Sequence, residues 1–207
     1  MRQFDFITSI GCFFRCTFCA DPFVFNRRYS GLEPERVFED LKFYHDKYKF
    51  QDLNFQDETF FTYPKRILKM ATLLKTFGNK FSWAATMRAD QGSRMSYEDF
   101  KLCKEGGLRR LLIGVESGSQ EMMDWLKKDI KVEQVLLCAD RCKELGIHVI
   151  FPFIIGFPKE SDASVVESQK MIRKLALMSP KFDTPIFYFK PYPGTQITDE
   201  VVQAGEY

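Results

Sequence analysis

Three cysteines lie close together near the start of the chain, in the run Gly11-Cys12-Phe13-Phe14-Arg15-Cys16-Thr17-Phe18-Cys19. Their spacing is Cys-x3-Cys-x2-Cys. Three thiolates on so short a loop can bind three corners of an iron–sulfur cube, but they do not complete a tetrahedral site around one zinc ion. A cube with three protein ligands leaves one iron open to another ligand. An open metal position is more typical of catalysis than of a structural site.

Two other interpretations of the cysteine loop stay open from the sequence. A zinc site would need a fourth ligand from His45 or His148, and both belong to predicted elements away from the loop. A chance cluster of core cysteines is the second alternative, since short motifs carry false positives. A disulfide framework is disfavoured, because the chain is long enough to fold without it and has no export signal. The remaining cysteines, Cys103, Cys138 and Cys142, are predicted to be buried as small apolar residues.

The composition is that of an ordinary globular domain. Hydrophobic residues make up 45% and charged residues 28% of the 207 positions, which argues against disorder. Lysine and arginine number 30 against 28 acidic residues, so the net charge of +2 offers no electrostatic footprint for a nucleic-acid backbone. No apolar run approaches the roughly 20 residues that cross a bilayer. We therefore expect a cytoplasmic protein with no membrane or nucleic-acid partner.

Short apolar runs alternate with longer amphipathic stretches along the whole chain. The predicted strands are Phe4–Ile10, Asp52–Gln56, Phe81–Met87, Arg109–Val115, His148–Ile155 and Thr184–Phe189. The predicted helices are Pro34–Tyr48, Pro64–Phe77, Ser96–Glu105, Ser119–Lys127, Val132–Leu145 and Ser161–Leu177. A strand–helix repeat with a pitch of about thirty residues predicts βαβ units and a parallel sheet.

Six such units form either an open doubly wound sheet or a barrel with fewer than eight strands. A closed (βα)8 barrel usually needs about 250 residues, so the length favours an α/β fold of the incomplete (βα)6 TIM type. We expect one domain over residues 1–207, excised from a longer protein. In either architecture the chemistry belongs at the carboxyl ends of the strands. The cysteine loop follows the first strand and so meets that expectation.

The cysteine spacing, with the aromatic Phe18 just before Cys19, resembles the signature of radical S-adenosylmethionine (SAM) enzymes. That resemblance implies that Cys12, Cys16 and Cys19 bind a [4Fe–4S] cluster, whose open iron is chelated by SAM. It also implies that Phe18 packs against the adenine of SAM. In this family an electron from the cluster cleaves SAM to methionine and a 5′-deoxyadenosyl radical, which abstracts a substrate hydrogen. The cofactors carry the chemistry, while the protein binds, orients and excludes water.

Residues at the other strand ends resemble the family's SAM contacts in part. The second strand leads into Gln56-Asp57-Glu58, where the family often has Gly-Gly-Glu, so only the acidic character matches. Pro152 replaces a glycine of the fifth-strand segment, where only Ile154 and Gly156 match. The resemblance implies further SAM contacts, with the carboxylates near the ammonium or ribose, Arg88 beside a carboxylate and the fifth strand at adenine. Besides Phe18, the implied contacts are Asp57, Glu58, Arg88, Glu116, Ser117, Ile154 and Gly156.

A narrower resemblance covers the chain from Ile10 to Thr195. It rests on the runs 57–60, 88–90, 114–118, 156–158 and 191–195. These runs look like the subgroup whose longer members carry an N-terminal cobalamin-binding domain. That subgroup includes the anaerobic magnesium-protoporphyrin monomethyl ester cyclase and several C- and P-methyltransferases. Cobalamin would therefore act through a domain that these 207 residues do not contain.

The subgroup sets the functional expectations. The first is oxidative cyclisation of a magnesium porphyrin, with a small-molecule tetrapyrrole substrate and an external electron donor such as ferredoxin or flavodoxin. The alternatives are a cobalamin-dependent radical SAM methyltransferase and a non-catalytic metal-binding or redox module. A tRNA-modifying radical enzyme is a further alternative, which the near-neutral charge weakens.

Overall fold

The computed structural model describes residues 2–205, and its centre is a parallel sheet of six strands. The strands of the chain are β1 Gln3–Phe6, β2 Ser9–Ile10, β3 Ser30–Gly31, β4 Asp52–Phe55, β5 Ser82–Met87, β6 Leu108–Ile113, β7 His148–Ile150, β8 Phe153–Ile155, β9 Phe182–Asp183 and β10 Ile186–Tyr188. The main sheet has the order β1-β4-β5-β6-β7-β9, with every neighbouring pair parallel. This order follows the chain, as expected for consecutive right-handed βαβ units.

The helices lie between the strands and after the last one. They are α1 Asp21–Val24, α2 Pro34–Tyr48, α3 Pro64–Thr76, α4 Ala89–Arg94, α5 Tyr97–Glu105, α6 Gln120–Trp125, α7 Val132–Glu144, α8 Asp162–Met178 and α9 Gln196–Gln203. Predicted caps are confirmed in two of them: the hydroxyl of Ser96 accepts from the amide of Asp99, and that of Ser161 from the amide of Ser164. No helix within residues 2–205 is long and apolar enough to cross a membrane.

The last two strands of the sheet are interrupted, which the sequence analysis did not anticipate. Pro152 separates β7 from β8, because proline has no amide hydrogen to continue the ladder. Beyond the break, β8 pairs with β10 in a second, two-stranded parallel sheet. The predicted strand at 148–155 is therefore two strands with one direction. The predicted strand at 184–189 corresponds to β10 alone, and β9, which completes the main sheet, was not predicted.

The first predicted strand is also divided. β1 joins the main sheet beside β4, whereas β2 leaves it and pairs antiparallel with β3. The cysteine loop and α1 lie between β2 and β3, so this hairpin holds the two ends of the loop together. The short helices α1, α4 and α9 were not predicted from the sequence.

One face of the sheet is covered by helices and holds the main core. Leu53, Phe55 and Trp83 point to that side and are almost fully buried with α2, α3 and α5. β1 and β9 are the two outer strands of the sheet and do not pair with each other among residues 2–205. The predicted incomplete (βα)6 barrel is therefore confirmed. On the opposite, concave face the side chains of Asp5 and Leu112 are exposed.

Candidate iron–sulfur and SAM site

The three cysteines of the motif lie on one loop at the carboxyl end of the first strand. Cys16 is buried, Cys12 and Cys19 are partly exposed, and all three are free thiols. The amide of Cys19 donates to the carbonyl of Cys16 at 3.3 Å, which turns the second half of the loop back on itself. The structure thus places the loop where a βα fold presents its chemistry.

The base of this loop is fixed by buried polar contacts to Thr8. Asp57, which follows β4, accepts from the amide of Thr8 at 3.2 Å and from its hydroxyl at 2.7 Å, and also from the hydroxyl of Ser9. Arg66 on α3 donates to the carbonyl of Thr8 at 3.0 Å and to the carbonyl of Leu32 at 2.8 Å. A buried charged group with several partners of this kind fixes backbone position.

The backbone conformation of the loop requires glycine at position 11. Its φ is +93°, and a Cβ at this position would lie 2.1 Å from the carbonyl oxygen of Arg28, so no other residue fits. Its amide donates to Oε2 of Glu58 at 3.1 Å. Glu58, which was expected to meet SAM, therefore contacts the residue directly before Cys12.

Burial disfavours the thiolate form of Cys12 and Cys19. Burial raises the pKa of Cys12, and it raises the pKa of Cys19 to about 12. Metal binding at such thiols has to release protons, which makes loading dependent on pH.

The donors around the loop are its thiols and one buried hydroxyl. Within residues 2–205 no three His, Cys, Asp or Glu side chains converge on one metal position, the three loop cysteines included. His45 packs edge-on against Phe50 and Phe77, and His148 begins β7 at the opposite end of the strand. The hydroxyl of Thr17, next to Cys16, is buried and has no hydrogen-bond partner among the described residues. An unsatisfied donor beside the ligands suits a site completed by an acceptor such as cluster sulfur.

Arg88 lies at the centre of the site. Its Nε donates to Asp90 at 2.9 Å, its Nη1 lies 3.6 Å from Sγ of Cys16, and its Nη2 donates to the carbonyl of Lys128. The guanidinium stacks on Phe14 at 3.6 Å from the ring centroid. Within the described residues Arg88 pairs with the carboxylate of Asp90, and its predicted contact with SAM stays a prediction.

Glu116 follows β6 with the unusual φ of 65°, in the left-handed region that non-glycine residues avoid. Its carboxylate accepts from Nζ of Lys128 at 2.6 Å, and both side chains are buried. Nζ of Lys128 also lies 5.8 Å from the ring centroid of Phe18. The structure therefore brings two of the predicted residues, Phe18 and Glu116, together around a lysine that the sequence analysis did not single out.

An apolar cavity of about 510 Å³ opens beside this pair. Phe18 and Ile154 form part of its wall, together with residues of β10 and the segment after it: Ile186, Phe187, Tyr188, Phe189, Lys190 and Tyr192. Gly156 lies just beyond β8 with a φ of +84° and open space where a side chain would be. An aromatic and aliphatic wall of this size accommodates a planar heterocycle such as adenine.

Not all of the predicted SAM contacts face this region. The hydroxyl of Ser117 lies 3.2 Å from that of Ser168 on α8 and accepts from the amide of Ser119 at 3.1 Å. Ser117 is fully buried, so these contacts hold α8 against the loop after β6. Asp57 is likewise directed at Thr8 and Ser9. Asp57 and Ser117 thus contact the chain segments around the site. Their contact with SAM stays a prediction.

The concave face of the sheet carries a polar row. Oδ1 of Asp5 accepts from Asn54 at 3.1 Å and from Gln56 at 3.0 Å. Arg110 on β6 lies beside Asn54, with Nη2 3.5 Å from its Oδ1. Leu112 on the same face is 41% exposed, so the row borders an apolar strip.

The other cysteines lie in the core, as predicted. Cys103, Cys138 and Cys142 are fully buried, and burial raises the pKa of Cys103 and of Cys138 to about 12. Lys128, Thr17 and Arg66 are the site residues that the sequence analysis missed. Lys128 and Arg66 are recognised by partners that are distant in sequence, and Thr17 by the burial of its hydroxyl. No local spacing in the sequence indicates such contacts or such burial.

Comparisons with known proteins agree with the geometry. An uncharacterized methyltransferase of Pyrococcus horikoshii is 32% identical over 196 residues, which are 95% of this chain and 41% of the relative. The anaerobic magnesium-protoporphyrin IX monomethyl ester cyclase of Rubrivivax gelatinosus is 24% identical over 163 residues, 79% of this chain and 29% of the relative. The chain thus spans less than half the length of these relatives.

A solved structure has the same fold. The radical SAM methyltransferase TsrM of Kitasatospora setae, solved with cobalamin and a [4Fe–4S] cluster, matches with a TM-score of 0.79 at 19% identity, over 97% of this chain and 39% of that one. The family described as the radical SAM superfamily matches residues 6–172. The chain therefore belongs to the radical SAM superfamily, whose members use a [4Fe–4S] cluster and SAM.

Proposed function

We propose that this chain is the radical SAM core of a cobalamin-dependent methyltransferase. The observation that carries the proposal is the 32% identity to a relative named as a methyltransferase, along almost the whole chain. The fold shared with TsrM, which binds cobalamin and a cluster, supports it. The sequence analysis placed oxidative cyclisation first; the relatives favour methyl transfer at least as well.

In this proposal the cysteine loop holds the cluster, and the strand ends hold SAM. The bound cluster and SAM supply the electron and the transferable carbon group. Cys12, Cys16 and Cys19 are the thiolate ligands, and the clamp on Thr8 keeps their loop in place. Phe18 is the proposed adenine contact.

The surroundings of the remaining predicted contacts support their proposed roles. Glu116 and Lys128 form a buried pair beside Phe18, and we propose that the carboxylate binds ribose hydroxyls and the ammonium binds the carboxylate of SAM. Ile154 lines the apolar cavity proposed for adenine, and Gly156 follows two residues later with open space above its Cα. Asp57, Glu58 and Ser117 are proposed to position the surrounding backbone as well as the cofactor.

The substrate is proposed to be a small molecule that lies on the concave face. That face offers a polar row with Asp5 and Arg110 and an apolar strip with Leu112. An external electron donor such as ferredoxin or flavodoxin is proposed to reduce the cluster, as the resemblance to radical SAM enzymes implies.

Oxidative cyclisation is the second candidate, and the identity to the magnesium-protoporphyrin cyclase favours it. The two candidates differ in what becomes of SAM. Methyl transfer converts SAM to S-adenosylhomocysteine, whereas reductive cleavage gives methionine and 5′-deoxyadenosine.

The test uses anaerobically reconstituted protein with SAM and dithionite, with and without added cobalamin. The proposal predicts S-adenosylhomocysteine that depends on cobalamin and is absent in the Cys16→Ala variant. Release of 5′-deoxyadenosine alone, whatever cobalamin is added, would favour the cyclase reaction. If neither product forms while the cluster is intact, both candidates are contradicted.

A further inference from the structure

We propose that Arg88 is a positioning residue that donates a hydrogen bond to the sulfur of Cys16 and raises the reduction potential of the cluster. The resemblance to radical SAM enzymes suggested only a carboxylate partner for this residue. The proposal rests on the cluster assignment and not on methyl transfer, since the potential is measurable without substrate or cobalamin.

The geometry of Arg88 leaves little freedom. Nε is held by Asp90 at 2.9 Å, Nη2 by the carbonyl of Lys128, and the flat face by the ring of Phe14. The side chain is only 11% exposed. The remaining nitrogen, Nη1, lies 3.6 Å from Sγ of Cys16, within hydrogen-bond range for sulfur. A fixed planar fork of this kind keeps its donors aimed.

The charge of Arg88 is only partly neutralised by its carboxylate partner. Asp90 is shared, because its second oxygen accepts from Arg94 at 2.8 Å. Two guanidinium groups therefore share one carboxylate, so Asp90 neutralises Arg88 only in part. Arg94 is largely exposed and screened by water, whereas Arg88 is buried against the cysteine loop.

A buried cation beside a ligand sulfur acts on the two oxidation states unequally. Reduction adds one electron to the cluster and its thiolates, so the reduced form is stabilised more than the oxidised form. Hydrogen bonds to sulfur act in the same direction. Arg88 thus makes the cluster easier to reduce by a weak physiological donor. An engaged guanidinium is also poorly placed to bind SAM, because it would first have to release one of its four contacts.

The experiment is an EPR-monitored redox titration of the reconstituted protein without SAM, for wild type, Arg88→Met, Arg88→Lys and Arg15→Met. Arg15 is the matched control: it is next to Cys16, but its guanidinium is exposed and bound to Asp129 at 2.9 Å. We expect Arg88→Met to lower the reduced-to-oxidised ratio at a fixed potential about tenfold, a shift of about 59 mV to more negative values. Arg88→Lys keeps the charge, so its potential should shift less than that of Arg88→Met. In Arg15→Met the reduced-to-oxidised ratio should stay within about twofold of wild type.

Several results would overturn the proposal. One is an unchanged potential in Arg88→Met, in particular if SAM affinity falls instead, because that would return Arg88 to a SAM contact. An equal shift in Arg15→Met would mean that any nearby charge suffices. If Arg88→Met takes up no iron, its potential cannot be measured. Urea unfolding of Arg88→Met and the iron content of Arg88→Lys then test whether the charge at this position is needed for the cluster or for the fold. A folded Arg88→Met protein with a loaded lysine variant supports the proposal, and loss of both fold and iron in the two variants contradicts it.

Discussion

Nζ of Lys128 lies 2.6 Å from Oε1 of Glu116, and both side chains are buried. The pair links the end of β6 to the segment after α6. In the same segment, the carbonyl of Leu126 accepts a hydrogen bond from the amide of Thr17 at 3.0 Å. The cysteine loop and the proposed SAM-facing strand end are therefore supported by one short stretch, residues 126–128.

Removing one member of this pair is expected to be costly. Lys128→Met leaves the Glu116 carboxylate buried without a partner, which should lower the free energy of unfolding by about 3–5 kcal/mol. The double variant Glu116→Gln with Lys128→Met should recover much of that loss, because no isolated charge remains. Urea unfolding of the single and double variants measures both numbers. A loss below about 1 kcal/mol in Lys128→Met would mean that the carboxylate finds water.

Each cysteine of the loop should be needed for the cluster, and the core cysteines should not. We expect Cys12→Ala, Cys16→Ala and Cys19→Ala to lose iron and visible absorption after anaerobic reconstitution, because two thiolates do not hold a cube. Cys103→Ala is the control: that thiol is fully buried in the core, and the variant should retain iron. Iron and sulfide analysis makes the comparison. Full iron in any one loop variant would remove that cysteine from the ligand set.

Asp57 should give folding a distinct pH dependence. Burial raises the pKa of its carboxyl above the ordinary value of 3.8, so the folded chain holds this proton to higher pH than the unfolded chain. The stabilisation from protonation is thus complete below pH 3.8 and is lost as pH rises through the folded pKa. The difference in unfolding free energy between wild type and Asp57→Asn should fall across that window and then level off.

Asp129 provides the control of opposite sign for this measurement. The hydrogen bond from Arg15 lowers the pKa of Asp129, so its contribution grows as pH rises towards 3.8 and is lost as pH falls. Its side chain is largely exposed, and the effect of Asp129→Asn should be small. Parallel pH profiles for the Asp57 and Asp129 variants would contradict the assignment of the Asp57 effect to burial.

Two glycines near the site should differ in how much unfolding free energy is lost when each is replaced by alanine. In Gly118→Ala the new Cβ would lie 2.6 Å from the backbone oxygen of Glu167, so α8 has to move, and about 3 kcal/mol should be lost. In Gly156→Ala the space is open, and only the φ of +84° is penalised, by about 1–2 kcal/mol. Thermal unfolding ranks the two. The reverse order would show that α8 yields more easily than the backbone after β8.

Phe18 should contribute to SAM binding through its place in the apolar cavity. We expect Phe18→Ala to weaken SAM binding to the reconstituted protein about tenfold, the equivalent of about 1.4 kcal/mol. Phe13→Ala, on the same loop but outside the residues that line the cavity, should bind SAM as wild type does. Equilibrium dialysis with labelled SAM gives both constants. Equal affinities in all three proteins would place adenine elsewhere.

Much of the fold was predictable because its signals are local. Helix α2 begins at Pro34 and ends at Tyr48 as predicted, since a proline in the first turn and a periodic apolar face mark it. Helix α4 was missed because Ala89–Arg94 is short and polar, and its N-terminus is capped through Gln91. The division of the fifth strand was in principle readable from Pro152, which ends the ladder.

The candidate site likewise has features that local sequence indicates and features that depend on long-range contacts. Three cysteines within eight positions are visible in sequence, as is an aromatic residue between two of them. The clamp of Arg66 on Thr8 joins residues 58 positions apart, and only the folded chain shows it. Ser117 shows the same limit: its strand-end position suggested a cofactor contact, which stays a prediction, whereas the contact of its hydroxyl with that of Ser168 on α8 at 3.2 Å was not visible in the sequence.

Within residues 2–205, β1 and β9 do not pair with each other, and this has a consequence for what the concave face can admit. In a closed barrel the interior radius limits any molecule that reaches the catalytic end, and entry is from the top only. We expect the gap between the two strands to admit a molecule from the side, which would lie across the strands with its reacting atom at their carboxyl ends. Bulky substrates and compact ones would then share one cofactor arrangement, and selectivity would depend on the residues that border the side entrance.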